Sequence, residues 1–253
     1  MLKWKRNKVK SATQPPSGPP NTRAYAIGDV HGRLDLLKTL IDRIAEDRRE
    51  RPCDRVFTVL LGDLMDRGPD SAGVIEYLLQ MRNVLPNPIF LMGNHEEMFL
   101  RVLDRDTAQF RDWLRFGGYE CAQSYGVEVG RLALLDPPEA AAMVRSAVPD
   151  AHIAFVESFV DSFQFGDYLF VHAGIRPGVA VKDQSIQDLR WIREEFLDST
   201  VDHPFMVVHG HTISDQPEER PNRIGIDTGA YISGNLTSLC LEGVERRYLH
   251  ARS

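Results

Sequence analysis

Residues 24–32 read Ala-Tyr-Ala-Ile-Gly-Asp-Val-His-Gly, a short apolar run that ends in a polar motif. The run predicts a buried strand, because short apolar stretches bounded by glycine are typical of the interior of a parallel sheet. Asp29 and His31 lie two positions apart, so an extended backbone turns both side chains to the same side. A carboxylate and an imidazole placed in this way can chelate one metal ion.

Four more polar motifs follow apolar runs in the same way. They are Gly-Asp-Leu-Met-Asp-Arg-Gly at 62–68, Gly-Asn-His-Glu at 93–96, His-Ala-Gly at 172–174 and His-Gly-His-Thr at 209–212. The preceding runs predict strands at 56–61, 89–92, 169–171 and 205–208. Because the carboxyl ends of strands in an open α/β sheet meet at one crevice, we expect the five motifs to converge there. Their donors suit two divalent ions such as manganese, iron or zinc, so the sequence predicts a dinuclear hydrolase.

Length and composition limit the domain organisation. The chain has 253 residues, of which 43% are hydrophobic, and this is enough for one α/β catalytic domain with a helical insert. We place the domain at 22–253 and the mostly helical insert, which we expect to cover the active-site groove, at 98–165. Cys53, Cys121 and Cys240 are widely separated, which favours free thiols in a reducing cytoplasm over a disulfide framework.

The first 21 residues differ in composition from the rest of the chain. They hold five basic residues, four prolines and no acidic residue, and we predict a disordered tail that could contact an anionic surface. Residues 22–253 hold 25 basic and 36 acidic residues, which argues against nucleic-acid binding. No apolar run reaches the ~18 residues of a membrane span, so we expect a cytoplasmic protein without stable membrane insertion.

In this order, the motifs resemble those of the phosphoprotein phosphatase family of calcineurin-like metallophosphoesterases, and within it the bacterial and bacteriophage serine/threonine phosphatases. The resemblance runs from about residue 23 to 243. It includes further short matches: Gly-Gly at 117–118, Ser-Tyr-Gly at 124–126, Trp-Ile-Arg-Glu at 191–194, Ile-Asp-Thr-Gly-Ala at 226–230 and Gly-Asn-Leu-Thr at 234–237. It implies an α/β fold with a two-sheet β-sandwich flanked by helices, in four αββα layers, with the metals at one edge.

The resemblance also implies a set of metal ligands. The first metal would be bound by Asp29 and His31, both metals would be bridged by Asp63, and the second would be completed by Asn94, His172 and His211. In the motif with two histidines the family ligand follows the glycine, so we assign His211, with His209 as the alternative. The cofactors would be two divalent ions, preferably Mn²⁺, with iron or zinc as alternatives.

Catalytic roles follow from the same resemblance. A hydroxide that bridges the two metals would attack phosphorus directly, without a covalent phosphoenzyme. His95 would act as the general acid, and Asp66 would hydrogen-bond to it, fix its tautomer and raise its pKa. Arg67 and Arg193 match arginines that hold phosphoryl oxygens. We expect Arg176 at the surface, and a second phosphate contact is its alternative role.

The implied function is that of a serine/threonine protein phosphatase, a monomer whose partner is a phosphorylated protein or peptide. Phosphotyrosine peptides and small phosphomonoesters remain open as substrates. A symmetrical diadenosine tetraphosphatase is the first alternative, because such enzymes share much of the pattern. Asp66 favours the phosphatase, since a nucleotide leaves readily without protonation and has less need of a tuned Asp–His acid. An inactive binding scaffold is the second alternative, but the chain keeps every expected ligand and the acid.

Overall fold

A computed structural model of the chain describes residues 14–104 and 107–253, and all statements below concern these residues. The strands are β1 (Thr22–Ile27), β2 (Arg55–Leu60), β3 (Pro88–Phe90), β4 (Ser162–Phe165), β5 (Tyr168–Val171), β6 (Met206–His209), β7 (Glu218–Glu219), β8 (Arg223–Gly225), β9 (Asn235–Glu242) and β10 (Glu245–Arg252). The helices are α1 (Leu34–Glu50), α2 (Ser71–Met81), α3 (Asn94–Leu103), α4 (Phe110–Trp113), α5 (Tyr119–Ser124), α6 (Val129–Leu132), α7 (Pro137–Ala147), α8 (Asp150–Glu157), α9 (Ile186–Trp191), α10 (Glu194–Leu197) and α11 (Ala230–Ser233). Among the described residues, none of these helices is long and apolar enough to cross a bilayer.

The strands form two five-stranded mixed sheets. The first has the order β10-β9-β1-β2-β3, in which β1, β2 and β3 are parallel, and the second has the order β4-β5-β6-β8-β7, in which β5, β6 and β8 are parallel. The five strands predicted from the apolar runs are β1, β2, β3, β5 and β6, and each prediction is confirmed to within two residues. Because the parallel strands of a sheet end at the same edge, the polar loops that follow them are brought together.

Side-chain alternation along β1 explains the four layers. Ala24 and Ala26 face the second sheet and belong to the apolar core between the sheets, whereas Tyr25 and Ile27 face the helices that cover the first sheet. Apolar residues on both faces are expected for a strand buried on both sides. On the far side, Leu169 of β5 packs with side chains of α9 and α10. The predicted four-layer αββα sandwich is therefore confirmed.

The segment predicted as a helical insert, 98–165, is helical over most of its length. It contains α4 to α8, and their apolar side chains share one core with α1, α2 and α3. The segment begins inside α3, and its last residues form β4, an edge strand of the second sheet that the sequence analysis missed. The insert is thus packed on the helical layer of the first sheet.

The predicted tail covers residues 1–21, of which the structure describes residues 14–21. Residues 1–13 lie outside the described residues, so the prediction stays a prediction there. Gly18 N–H donates to the Gly243 carbonyl at 2.8 Å, the Ser17 carbonyl accepts from Asp167 N–H at 2.9 Å, and the Tyr168 hydroxyl donates to the Pro16 carbonyl at 3.0 Å. Residues 16–18 therefore contact two turns between strands through their backbone, and side-chain composition does not indicate such contacts.

A buried ion cluster joins α1 to the first sheet. The Asp47 carboxylate accepts a hydrogen bond of 2.5 Å from the Tyr25 hydroxyl and others from the Arg247 guanidinium. Arg23, which is 2% exposed, lies 3.6 Å from the same carboxylate and pairs with Glu242 at 2.6 Å. Burial opposes ionisation of Asp47, but the hydrogen bonds from Arg247 and Tyr25 hold its pKa below the usual 3.8.

We predict that Asp47→Asn lowers the free energy of unfolding by about 2 kcal/mol at pH 7, because the partly buried Arg247 guanidinium loses its carboxylate partner and the Tyr25 hydroxyl loses an ionised acceptor. A carboxylate with a lowered folded-state pKa stabilises the protein above its unfolded pKa and loses this contribution as the pH falls through the folded value. The difference between wild type and variant should therefore shrink between pH 7 and pH 3 in urea unfolding. Asp42→Asn, on the exposed face of α1, is the control. An equal difference at both pH values would contradict the prediction.

Candidate metal centre

The loops after β1, β2, β3, β5 and β6 meet at one edge of the sandwich. All six predicted metal ligands lie in these loops or at their ends, and each is at most 8% exposed: Asp29, His31, Asp63, Asn94, His172 and His211. Buried carboxylates and imidazoles at such a density carry a high desolvation cost unless they are paired or bind a cation. The structure therefore brings together the residues that the sequence analysis selected.

Asp63 lies at the centre of the cluster, between two groups of histidines. Its Oδ2 is 3.7 Å from His31 Nε2 and 3.8 Å from His95 Nε2. Its Oδ1 is 3.3 Å from His172 Nε2, in a second group that includes His211. Each group could hold one ion, and Asp63 is the member that both share. This placement suits the bridging role that the resemblance implies.

Backbone carbonyls orient two of the imidazoles. His31 Nδ1 is 2.8 Å from the Met65 carbonyl, and His172 Nδ1 is 2.8 Å from the Leu61 carbonyl. Because a carbonyl can only accept, Nδ1 carries the proton in each ring, and in the neutral ring Nε2 keeps its lone pair. His172 Nε2 then faces the Asn94 side-chain oxygen at 3.0 Å. Converging Nε2 atoms in rings whose Nδ1–H donates to a backbone carbonyl are typical of metal-binding histidines.

Two buried atoms of the cluster have no hydrogen-bond partner among the described residues. The Asp29 carboxylate accepts from the His211 backbone N–H through Oδ2 at 2.9 Å, but its Oδ1 has no partner. His211 Nε2 also lacks one. Unpaired polar atoms are rare in protein interiors, so these two atoms fit the binding of a cation. The residues present therefore suit a centre for divalent metals.

The structure favours His211 over His209 as a ligand. His209 belongs to neither histidine group, and its ring packs edge-on against Phe196, with centroids 5.2 Å apart. Its Nδ1 lies 3.0 Å from the carbonyl of Gly210, while Nε2 has no partner among the described residues. Burial lowers the pKa of His209 to about 4, so the ring is neutral. It packs beside Phe196, which belongs to the core between the second sheet and its helices.

The backbone of the site is strained. Five of the seven non-glycine residues with positive φ among those described are candidate site residues: His31, Asp63, Asp66, Arg67 and His211. Left-handed backbone costs about 1–3 kcal/mol at a non-glycine residue and persists only where the surroundings impose it. The strain turns these side chains towards one point, and no pattern in the sequence reports it.

Glu96 holds the loop that carries Asp63, a role that the sequence analysis missed. Its fully buried carboxylate accepts from the backbone N–H groups of Asp63 at 2.8 Å, Leu64 at 2.8 Å and Gly93 at 3.0 Å. Burial and the nearby Asp63 raise the pKa of Glu96 to about 7, although these donors favour the carboxylate. The available signal was an acidic residue three positions after the N-cap residue Gly93, where it can accept from the N–H of that residue.

The charges of the cluster are strongly coupled. Burial and the neighbouring Asp227 and Asp63 raise the pKa of Asp29 well above its usual range. Burial also opposes ionisation of Asp63, but the imidazoles of His172 and His95 hold its pKa well below the usual range. Burial and the nearby His172 lower the pKa of His211 to about 2. The pKa shifts of Asp63 and His211 favour the forms that bind metal ions, whereas the raised pKa of Asp29 favours its protonated form when no cation is bound.

Asp227 is a further site residue to which the sequence analysis gave no role. It is 1% exposed, its Oδ1 accepts from Gly229 N–H at 2.9 Å, and its Oδ2 has no hydrogen-bond partner among the described residues. Burial raises the pKa of Asp227 to about 6. Its position in the motif at 226–230 was the available signal.

His95 and Asp66 form a buried pair beside Asp63. His95 Nδ1 lies 2.7 Å from Asp66 Oδ2, and the indole Nε1 of Trp113 lies 3.2 Å from each oxygen of the same carboxylate. Burial lowers the pKa of His95, but Asp63 and Asp66 outweigh it and the net shift is upward. The hydrogen bond and the direction of the shift are those that the sequence analysis expected, whereas the contact with Trp113 was missed.

Two of the predicted arginines line a cleft of about 250 Å³ that opens onto this pair. Arg67 Nη1 lies 3.1 Å from His31 Nε2, and its guanidinium packs over the Tyr231 ring at 5.1 Å. Arg193 is exposed and donates to the Thr212 hydroxyl at 3.3 Å. Both guanidinium groups can therefore reach an anion bound between them.

Arg176 lies outside the cleft. It donates to the Asp188 carboxylate at 3.0 and 2.5 Å, and its side chain is 46% exposed. Its ionic partner and its exposure agree with the surface interpretation rather than with the second phosphate contact.

The calcineurin-like phosphoesterase family matches residues 22–234. The chain is 28% identical over 224 residues to serine/threonine-protein phosphatase 2 of Salmonella typhimurium, a match that covers 84% of this chain and 90% of that protein. It is 34% identical over 108 residues to the symmetrical bis(5'-nucleosyl)-tetraphosphatase of Pseudomonas fluorescens, with 36% of this chain and 35% of that protein covered. The chain thus matches about a third of that relative's length.

A solved structure shows the same fold. The crystal structure of a cold-active protein-tyrosine phosphatase from a psychrophilic Shewanella superposes with a TM-score of 0.55 and 19% sequence identity. The superposition covers 92% of this chain and 83% of that chain. At this identity the likeness concerns the fold alone.

We predict that Asp63→Asn strongly weakens metal binding. Asparagine tolerates the positive φ of 48° at this position, so the backbone can persist while the shared negative charge is lost. Bound manganese, measured by elemental analysis after dialysis, should fall from about two ions per chain to well below one. Asp35→Asn, which changes an exposed carboxylate, should keep the wild-type content. Retention of both ions by Asp63→Asn would exclude a bridging role.

We also predict that Glu96→Gln destabilises the metal-free protein. An amide nitrogen cannot accept a hydrogen bond, so at least one of the three buried N–H groups loses its partner, at a cost of about 2 kcal/mol. Chemical unfolding in the presence of a chelator measures this cost apart from metal binding. The matched control is Glu46→Gln on the exposed face of α1. It should leave the free energy of unfolding within about 0.5 kcal/mol of wild type. Equal stability of Glu96→Gln and wild type would show that the carboxylate does not hold this loop.

Proposed function

We propose that this chain, which belongs to the calcineurin-like phosphoesterase family, is a monomeric cytoplasmic phosphomonoesterase that acts on phosphoserine or phosphothreonine in proteins. The observation that carries the proposal is the buried His95–Asp66 pair beside the candidate metal ligand Asp63. Such a pair supplies a positioned proton donor, and a serine or threonine alkoxide needs a proton as it leaves.

The chain's own residues are suited to hold two divalent cations, preferably manganese, with iron or zinc as alternatives. One cation would be held by Asp29 and His31, the other by Asn94, His172 and His211, with Asp63 shared between them. His95, which lies close to His31 and Asp63, is assigned to proton donation instead. When bound, the two cations activate water as a nucleophile and offset the negative charge of the phosphoryl group. The buried position of these ligands keeps competing water away from the site.

The arginines and the histidine have separate tasks in this proposal. Arg67 and Arg193 would hold the phosphoryl oxygens, because a planar guanidinium can donate two hydrogen bonds to one anion. His95 would give its Nε2 proton to the leaving oxygen while the phosphorus–oxygen bond breaks. Its Nδ1 proton would stay in the hydrogen bond with Asp66, which keeps the ring in orientation and stabilises its charged form.

The leaving group separates this proposal from hydrolysis of a dinucleoside polyphosphate. A nucleotide leaves as a stable phosphate anion and gains little from a general acid, whereas an alkoxide gains much. The relative named serine/threonine-protein phosphatase 2 matches over most of both chains, which supports the first activity.

A symmetrical diadenosine tetraphosphatase is the second candidate. The relative with that name matches about a third of its own length. The walls of the cleft also include Met98, Phe116 and Trp191, and Phe116 is 56% exposed. Aromatic faces of this kind can stack on a nucleobase as well as on an apolar peptide side chain.

We predict that kcat/KM of the manganese-loaded protein is higher for a phosphothreonine peptide than for diadenosine tetraphosphate. His95→Asn should lower the peptide rate by about 10²–10⁴-fold, because the leaving alkoxide loses its proton donor. The same variant should change hydrolysis of p-nitrophenyl phosphate much less, since that phenolate leaves without a proton. Steady-state kinetics on the three substrates, with metal content determined for each preparation, test both statements.

The alternatives have distinct outcomes in the same experiment. Preference for the dinucleotide would move the enzyme to nucleotide hydrolysis. Absence of turnover on all three substrates by metal-loaded wild type would support a binding scaffold. An equal loss on the peptide and on p-nitrophenyl phosphate in His95→Asn would remove the general-acid role.

A further inference from the structure

The side chain of Trp113 connects the helical insert to the candidate acid. Trp113 is the last residue of α4 and is completely buried. Its indole N–H is shared between the two oxygens of Asp66, at 3.2 Å from each. A carboxylate that also accepts from His95 at 2.7 Å is thereby held from two sides. Hydrogen bonds to an ionised acceptor are stronger than those between neutral groups.

The turn that follows α4 explains how the indole reaches this position. Residues 114–118 form a single π-helical turn, and a Cβ at Gly118 would lie 2.4 Å from the indole ring. Only glycine lets the ring lie against the backbone there. Gly117, at φ 108°, directs its carbonyl to the backbone N–H of Arg67 at 3.1 Å. One turn of the insert therefore supports two neighbouring residues of the candidate site, Asp66 and Arg67.

Apart from Trp113 and His95, Asp66 has two further contacts, and only one of them involves its carboxylate. Its backbone N–H donates to the Ser71 hydroxyl at 2.9 Å, which fixes the main chain. The Cys121 thiol, a weaker donor from α5, also contacts the carboxylate. Asp66 is fully buried, so water does not compete for its oxygens. The indole N–H is the stronger of the two donors that the insert offers.

We infer that Trp113 is a positioning residue for leaving-group protonation, which acts by orienting the Asp66 carboxylate against His95. The inference rests on the proposed phosphomonoesterase function and on the role of His95 in it. Trp113 also lines the cleft beside Phe116, so the insert that forms this wall of the cleft also supports Asp66, the partner of the proposed acid. Without the indole N–H, the Asp66 backbone keeps its position, but the carboxylate loses one of the three donors that set its side-chain angle, the others being His95 and the weaker Cys121 thiol.

If Trp113 orients Asp66, loss of the indole N–H should slow only those substrates whose leaving group needs a proton. A poorly oriented acid slows only the bond cleavage that needs a proton, and it leaves substrate binding and metal content unchanged. Loss of packing in the insert would instead slow good and poor leaving groups alike. The ratio of the two rates therefore separates the two roles.

The test compares Trp113→Phe with wild type in the manganese-loaded full chain. We expect kcat for the phosphothreonine peptide to fall by about tenfold with KM unchanged, the loss expected for one hydrogen bond to a charged group. The kcat for p-nitrophenyl phosphate should stay within about twofold of wild type. Site-specific replacement of Trp113 by benzothienylalanine, which has the shape of tryptophan without its N–H, should give the same result if Trp113→Phe folds poorly.

Trp191→Phe is the matched control, because the Trp191 indole lines the same cleft but donates to Glu97 at 3.0 Å. Any change in its kcat should be equal for the two substrates. An equal loss on both substrates in Trp113→Phe and in the benzothienylalanine protein, or no loss in either, would overturn the inference. His95→Asn in parallel keeps the inference distinct from the proposed function: if His95→Asn shows no leaving-group dependence, the acid assignment fails first.

Discussion

The architecture of the candidate site depends on one buried carboxylate that two groups of histidines share. Asp63 directs one oxygen to His31 and His95 and the other to His172, and these side chains come from loops of both sheets. The arrangement requires the two sheets to end at the same edge and to be held there by the core between them. It also requires a backbone strained at Asp63, which the three N–H donors to Glu96 help to maintain. The sandwich thus supplies the rigidity that keeps like charges and lone pairs close together.

Much of this could be predicted from the sequence, because the signals are local and strong. The apolar runs predicted five strands, and the motifs after them contain all six candidate ligands. The β9–β10 hairpin and the edge strand β4 were missed, since polar residues interrupt the apolar ones in these strands. The contacts of residues 16–18 were missed because backbone hydrogen bonds with distant turns leave no mark on composition.

The supporting residues of the site were harder to predict for a physical reason. Glu96 and Trp113 act through hydrogen bonds to Asp63 and Asp66, which lie 33 and 47 positions away in the chain, and Asp227 is identified by a buried oxygen without a partner among the described residues. The resemblance predicted that Asp66 pairs with His95. Nothing in the local sequence indicates that an indole from the insert donates to the Asp66 carboxylate. Tertiary packing alone determines which buried donor meets which buried acceptor.

The candidate metal ligands and the residues beside them are positioned by different parts of the fold, which suggests how one fold can serve different phosphate esters. The candidate ligands lie at the ends of strands, and their positions are set by the sheets. Asp66 and Arg67 lie in the loop after β2, and the insert contacts both: the Trp113 indole donates to the Asp66 carboxylate, and the Gly117 carbonyl accepts from the Arg67 backbone N–H. Changes in the insert could therefore alter the demand for a protonated leaving group without disturbing the metal ligands. Preference among leaving groups would then be a property of the insert, while the capacity to bind metal would belong to the sandwich.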